Sequence, residues 1–421
     1  MYLLPDTAIA YKSANYVYSV ADKQSVPDVE ITGLSNQDIM ITDSLIINFS
    51  LKNNSMQKIN SVVVEWKEEG SLHAASQRFD NVELESGAVK EFAFTNVYKP
   101  TNQGEKKLVL NVLTVNDEVY SKRITTDKNY MYVESIRKAV DKRVIIEEAT
   151  GTWCGYCVDG AVYLKKILQK HNKVIGVAVH KGDKMETSNT KELCSALAAG
   201  YPSGFVNRVA YGGKVGLSRS LWENKAINQL AQPTTIAIDV TPIYNKTARK
   251  LSAKLDVDFT AQKTGNFRVN LYIVENNVSG KGHGWDQSNF YNNDPGHPMY
   301  GLGTYISGYV HNHVVRKMVG GAWGTSGVIP NVANGKYSHT YSVDIKKEWK
   351  EKDIHVVAVI SEHGASNTQR RIFNAIEKPI VTPASTTSFE LYKGSDKIDI
   401  TKPIVVNGKV TDSELKYAFK V

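Results

Sequence analysis

The stretch Glu147 to Cys157 reads E-E-A-T-G-T-W-C-G-Y-C and follows the apolar run Val144-Ile145-Ile146. Three consecutive β-branched residues suit a strand buried on both faces. Beyond the cysteines, Ala161, Leu164, Ile167 and Leu168 recur on one side at helical spacing. The pair therefore sits where a strand gives way to a helix, and the helix is expected to begin near Cys154. The unpaired N–H groups and positive dipole end of a helix favour a thiolate. The thiolate is the form of cysteine that attacks disulfides. Two intervening residues put Cys157 about one turn further on, close enough to close a disulfide. Trp153 is expected to shield one side of the pair.

The chain around this motif divides by pattern. Residues 134–232 alternate strands and helices. Val174–Val179 is a second buried run, and Thr190–Ala199 reads as a helix stopped by Gly200. Tyr201-Pro202 leads into Phe205-Val206, and Arg219–Leu230 is a final helix. Such alternation predicts a parallel or mixed sheet covered by helices. Residues 28–133 read as strands of period two: Leu45, Ile47, Phe49 and Leu51, then Val62, Val64 and Trp66, Phe92 and Phe94, and Leu108, Leu110 and Val112. That spacing predicts an antiparallel β-sandwich, immunoglobulin-like in architecture. Residues 233–383 return to strands at Thr234–Val240, Leu251–Phe259, Phe267–Val274, Tyr337–Val343 and Ile354–Ile360. They are expected to form a second sandwich, immunoglobulin-like or jelly-roll-like, interrupted by a Gly-, Asn- and His-rich insertion at 276–334. A segment 1–27 precedes these units. A Thr/Lys-rich tail, 384–421, follows with two candidate strands, Ser388–Tyr392 and Ile404–Val406. The fold class is thus multidomain, a central α/β unit flanked by two β-sandwiches.

Composition removes several functions. The 421 residues carry 51 Lys+Arg against 43 Asp+Glu, a net +8 without a basic stripe interleaved with aromatics, so nucleic acid is not an expected partner. No stretch reaches the ~20 apolar residues of a membrane helix, so no transmembrane segment is expected. The start, M-Y-L-L-P-D-T-A-I-A-Y, does not read as a signal peptide. Either the protein is cytosolic or a leader is absent from the sequence. Three cysteines (Cys154, Cys157 and Cys194) are too few for a disulfide-stapled scaffold.

The W-C-G-Y-C motif after a hydrophobic strand resembles the active site of the thioredoxin superfamily. Glu148 matches the buried acid beneath the second cysteine of that superfamily, and Gly200-Tyr201-Pro202-Ser203 resembles its cis-proline loop. The resemblance covers roughly 140–231. No proline follows Val158-Asp159 in the helix, and the intervening dipeptide is Gly-Tyr rather than Gly-Pro. Over more of the chain, E-E-A-T-G-T-W-C-G-Y-C-V-D-G, V-A-V-H-K-G-D-K-M, Y-P-S-G-F-V-N-R, H-N-H-V-V-R and G-A-W-G resemble the Omp28-related outer-membrane proteins of Bacteroidetes. That family flanks a thioredoxin-like domain with β-rich domains. The resemblance implies an extracytoplasmic location, in the outer membrane or periplasm of a Gram-negative bacterium, with a lipid anchor on the native N-terminus.

These readings set the candidate residues. Cys154 attacks a substrate disulfide and Cys157 resolves the mixed disulfide. The alternatives are a structural dithiol, or a zinc half-site completed by Cys194 and His180. The latter needs Cys194 to leave the apolar face of its helix, so no metal and no cofactor are expected. Glu148 is the candidate proton acceptor for Cys157. Glu147, on the opposite face of the strand, is the candidate for a solvated acid. Pro202 and Tyr201 hold the substrate strand, with Trp153, Tyr156 and His180 as further substrate contacts. His180, Lys181 and Asp183 end the second parallel strand on the edge that carries Cys154. In the insertion, His283, Asp286, Asp294, His297, His311 and His313 lack metal-ligand spacing. Trp285, Tyr291, Tyr300, Tyr305 and Trp323 are expected to pack the loop onto the second sandwich, the alternative being a ligand surface. The expected partner is a protein bearing thiols or disulfides. The competing reading is a non-enzymatic surface protein that binds an unknown ligand through its β units.

Overall fold

A computed structural model describes residues 27–121 and 129–382, together with the strand pair Leu391–Lys393 and Asp396–Ile398. The expected segment up to residue 26 and the expected tail strand Ile404–Val406 lie outside the described residues, as does most of Ser388–Tyr392. The fold is mixed α/β, dominated by strands in several sheets.

The first unit contains β1 (Val29–Thr32), β2 (Gln37–Met40), β3 (Asn48–Asn53), β4 (Ile59–Glu68), β5 (Ala74–Leu84), β6 (Val89–Ala93), β7 (Gly104–Val115), β8 (Glu118–Val119) and β9 (Tyr130–Ile136). One sheet runs β1-β3-β6 and the other β2-β9-β7-β4-β5, with β8 on the edge of β7. Their facing side chains share one core. Ile31, Phe49 and Leu51 meet Val62, Val64, Leu108 and Leu110, all essentially inaccessible to water. Each such side chain contributes about 1.5–3 kcal/mol by burial. Phe49 sits among the rings of Phe79, Phe92 and Phe94 at centroid separations of 5.7, 5.5 and 5.4 Å.

The rest of the chain contains β10 (Val144–Thr150), α1 (Cys157–Lys170), β11 (Val174–His180), α2 (Ser188–Leu197), β12 (Ser203–Val206), α3 (Arg219–Ala231), β13 (Ile236–Asn245), β14 (Lys250–Thr264), β15 (Phe267–Glu275), β16 (Gln287–Ser288), β17 (Tyr305–Ile306), β18 (Val314–Met318), β19 (Val332–Asp344), β20 (Ile354–Glu362) and β21 (Ile372–Pro379). One sheet runs β12-β10-β11-β18-β15-β20-β21, so its strands come from both sides of residue 232. The join is β18, which emerges from the 276–334 insertion and pairs with β11 through one parallel rung, Ala178 to Val314. A second sheet, β13-β14-β19, stacks on β15 and β20, where Leu255 and Val257 share a core with Leu271 and Val356.

Helices cover the sheet on both faces. Leu164 and Ile167 of α1 and Trp222 and Ala226 of α3 pack against Val144, Ile146 and Val174. On the other face Leu193, Cys194 and Leu197 of α2 pack with Ile145, Ile175, Val177 and Val179. The alternation of neighbouring residues along β10 and β11 between these clusters is the period-two rule of a strand. Thr187 caps α2 by accepting the Thr190 N–H at 3.1 Å, one of the helix's four free donors. The first unit is tied to the rest by buried charge. The Lys263 ammonium lies 2.7 Å from Glu134 and 3.5 Å from Asp38.

Candidate active site around Cys154 and Cys157

Strand β10 is buried along its whole length and runs parallel to β11, with Thr150 opposite His180 at their C-terminal ends. The chain then leaves the sheet through a tight loop. The Cys154 N–H donates to the Gly151 carbonyl at 3.0 Å, and the Cys157 N–H donates to the Cys154 carbonyl at 3.1 Å. Cys154 and Cys157 form a disulfide with Cα atoms 5.4 Å apart. Helix α1 begins at Cys157, not near Cys154 as the spacing suggests, because the turn between the cysteines precedes the first helical hydrogen bonds. Cys154 therefore stands before the positive end of the helix and Cys157 is its first residue. Both are buried, at 6% and 2% exposure.

Trp153 is half exposed. Its indole N–H donates to the Lys181 carbonyl at 2.7 Å, and its ring meets Tyr201 edge-on at 5.1 Å. The Tyr201–Pro202 peptide is cis. Strand β12 follows and pairs antiparallel with β10, Ser203 opposite Ala149, which brings Pro202 to the C-terminal end of β10. Glu148, Pro202 and α1 meet at Gly160. A Cβ there would lie 2.3 Å from Glu148 Oε1 and 2.9 Å from the Pro202 Cβ, so the helix approaches only because this residue has no side chain.

The two neighbouring acids lie on opposite faces, and the expected solvated one is not solvated. Glu147 is completely buried. Arg208 grips it through two hydrogen bonds of 2.6 Å, and the Tyr272 hydroxyl donates to it at 2.9 Å. Glu148 faces α1, is also buried, and its Oε1 has no hydrogen-bond partner. Burial without a compensating cation pushes its carboxyl up to about 8. It is therefore largely a neutral acid at neutral pH.

His180 closes the same face. Its Nδ1 lies 2.7 Å from Asp183 Oδ2, which also accepts the Thr152 N–H at 2.9 Å. Burial raises the Asp183 carboxyl, but the His180 hydrogen bond and charge outweigh it and the carboxyl is held below its ordinary value. Asp183 thus ties the cysteine loop to the end of β11. Cys194 lies on the other face of β11, where its thiol donates to the Val179 carbonyl at 3.4 Å, so Cys194 and His180 do not converge on the pair. Burial pushes the Cys194 thiol up to about 12. Alkylation of the reduced native protein is expected to label Cys154 before Cys194. Peptide mapping by mass checks the order, and earlier labelling of Cys194 would contradict it.

The insertion does not simply pack onto the second β unit. Its residues 287–290 lie along the cysteine loop. The Ser288 N–H donates to the Thr152 carbonyl at 2.8 Å and the Phe290 N–H to the Gly155 carbonyl at 3.0 Å. The buried Gln287 amide donates to the Cys154 carbonyl at 3.0 Å. The Phe290 ring rests on Gly155, where a Cβ would come within 2.3 Å of it, and meets Tyr156 edge-on at 5.0 Å. Asp159 anchors the segment: it is ion-paired with Arg219, 3.1 Å from His297 Nε2, and accepts from the Tyr291 hydroxyl at 3.3 Å. Elsewhere in the insertion, Trp285 packs with Met185 and Val314. The Trp323 indole N–H donates to Glu192 at 2.6 Å. Gln287, Phe290 and Asp159 are site neighbours that the sequence pattern does not single out, since neither motif nor spacing marks them.

Residues 196–376 match a family model described as Outer membrane protein Omp28, a span that begins after the cysteine pair. No curated protein matches the chain. Among solved structures, HBP35 of Porphyromonas gingivalis is 19% identical with a TM-score of 0.46, over 61% of this chain and 83% of that one. The CARDB domain of a Pyrococcus furiosus protein, in complex with di-metal ions, is 16% identical with a TM-score of 0.21, over 27% of this chain and 96% of that one. CBD12 from CALX1.2 is 6% identical with a TM-score of 0.20, over 79% and 80%.

Proposed function

We propose that this chain, which carries a domain of the Omp28 family of outer membrane proteins at residues 196–376, is an extracytoplasmic thiol–disulfide exchange protein built on a thioredoxin-like central unit. One observation carries the reading: a closed Cys154–Cys157 pair at the start of a buried-strand helix, beside a buried, uncompensated carboxyl at Glu148. In the reduced protein, the Cys154 thiolate attacks a substrate disulfide and displaces one substrate thiolate. Cys157 then attacks the Cys154 sulfur of the mixed disulfide, releases the second substrate thiolate, and restores the intrachain bond. Cys157 must lose a proton for that step, and the ionised fraction of Glu148, which grows as pH approaches 8, accepts it. Tyr201 and Pro202 present the backbone edge against which the substrate aligns, with Trp153 and Tyr156 as apolar flanks. His180 positions the loop through Asp183 and Thr152. An outer-membrane or periplasmic location fits this chemistry, because disulfides persist there.

Cys157→Ser is expected to accumulate disulfide-linked partners when expressed in that compartment, since Cys154 attacks but is not released. Non-reducing gels check this against Cys154→Ser, which is expected to collect far fewer. Equal, background-level trapping by both variants would falsify the exchange reading. The second reading, a surface protein that binds a ligand through its β units with the disulfide as a structural brace, would then lead. The 6% exposure of Cys154 beneath the insertion favours that alternative.

A further inference from the structure

We propose that a small anionic thiol supplies electrons to the Cys154–Cys157 disulfide by entering a cavity behind the cysteine loop and attacking Cys157. This inference rests on the exchange reading above. The cavity, about 810 Å³, is bordered by Cys157, Glu148 and His180 from the α/β unit and by Met299, Leu302 and Ile306 from the insertion. Its size suits a small organic molecule. Cys154 is not among the residues that line it. The other approach, toward Cys154, is where Ser288 and Phe290 are bonded to the loop. The two sulfurs thus differ in access, Cys154 from the covered outer side and Cys157 from within the cavity.

Displacement at sulfur proceeds in line, so a nucleophile at Cys157 expels Cys154 on the far side. The leaving Cys154 thiolate faces the positive end of α1. Glu148, with its carboxyl near 8, is matched to a thiol whose ordinary value is about 8.5. Its ionised fraction takes the proton of the incoming thiol. Two histidines of the wall are held toward their neutral form. Burial and the neighbouring His180 lower His311 to about 4, so its imidazole is neutral at neutral pH. Burial likewise lowers His313, whose Nδ1 has no hydrogen-bond partner. The fixed charges on the lining are Lys165 and Lys166 of α1, both exposed and, among the described residues, without an ion-pair partner. They select a thiol carrying a carboxylate over one carrying an ammonium.

The step balances. The first thiol gives its proton to Glu148 and forms an S–S bond to Cys157, and the Cys154–Cys157 bond breaks. The Cys154 thiolate takes a proton from solvent. A second thiol loses its proton to solvent and attacks the external sulfur of the mixed disulfide, and Cys157 departs with the proton held by Glu148. Two thiols are oxidised to one small disulfide, and the protein disulfide is reduced to two thiols.

The test uses the oxidised full chain with three probes: 3-mercaptopropionate, 2-mercaptoethanol and cysteamine. Reactions are acid-quenched, capped, and mapped by mass. The expected early adduct is on Cys157. After correction for thiolate fraction, 3-mercaptopropionate is expected to react about ten-fold faster than cysteamine. The Lys165→Glu/Lys166→Glu variant is expected to reverse that order, with 2-mercaptoethanol falling between the two charged probes in both proteins. Leu302→Trp, which adds bulk at the cavity wall, is expected to slow all three. An early adduct on Cys154, or rates indifferent to probe charge in both proteins, overturns the inference and leaves the exchange reading standing. No reduction by any probe, together with no trapping by Cys157→Ser, overturns both.

Discussion

Glu148→Gln is expected to stabilise the protein at pH 8 and to leave it nearly unchanged at pH 4. The carboxyl rises from an ordinary 4.5 to about 8 in the folded chain through burial alone. Between those values the unfolded chain releases the proton and the folded chain keeps it. Folded protein therefore binds more protons, and stability falls as pH rises. The contribution is fully present below about pH 4.5 and is lost as pH passes through the folded value. At about 1.4 kcal/mol per pH unit, the group removes roughly 3–5 kcal/mol by pH 8. Glutamine keeps the shape and has no proton to lose. Urea unfolding of both proteins at pH 5, 6.5 and 8 checks this: the gap in stability should widen with pH. A constant gap would mean that Glu148 has a counter-charge in solution.

Arg208→Met is expected to cost about 3–5 kcal/mol at pH 7, because it strands the Glu147 carboxylate in the interior. Glu147 and Arg208 side chains are 0% and 3% exposed, and Tyr272 completes the cluster. The three residues come from β10, the loop after β12, and β15, so they bridge strands on both sides of the single rung between β11 and β18. The double variant Glu147→Leu/Arg208→Met is expected to recover much of the loss, because no charge is then left unpaired. Denaturant midpoints at constant slope check both. A double variant as unstable as the single would show that packing, not charge, sets the cost.

Local signals were the legible ones. The cysteines, Glu148, Pro202 and His180 all lie within or beside short apolar runs, and strand geometry brings them together. The alternation of Phe49 and Leu51, and of Val62 and Val64, likewise marks strands whose inner face is the core. What the pattern hides depends on distant partners. Glu147 reads as an exposed acid because its partners, Arg208 and Tyr272, are 61 and 125 residues away. Strand β18 is five residues long and begins after a Gly-, Asn- and His-rich loop, so no period is long enough to mark it. The seat of residues 287–290 on the cysteine loop is made largely by backbone hydrogen bonds, which no side-chain pattern encodes.

Residues 287–290 also give the loop a resident competitor. Any visitor that would bond to the Thr152 or Gly155 carbonyls meets a segment already tethered there, with an effective concentration in the millimolar range typical of short connections. Observed affinity for such a visitor falls in proportion to the fraction of molecules in which the segment has lifted. Every visitor that needs those carbonyls loses affinity by the same factor, so discrimination on this side of the molecule falls to the contacts the segment does not already occupy.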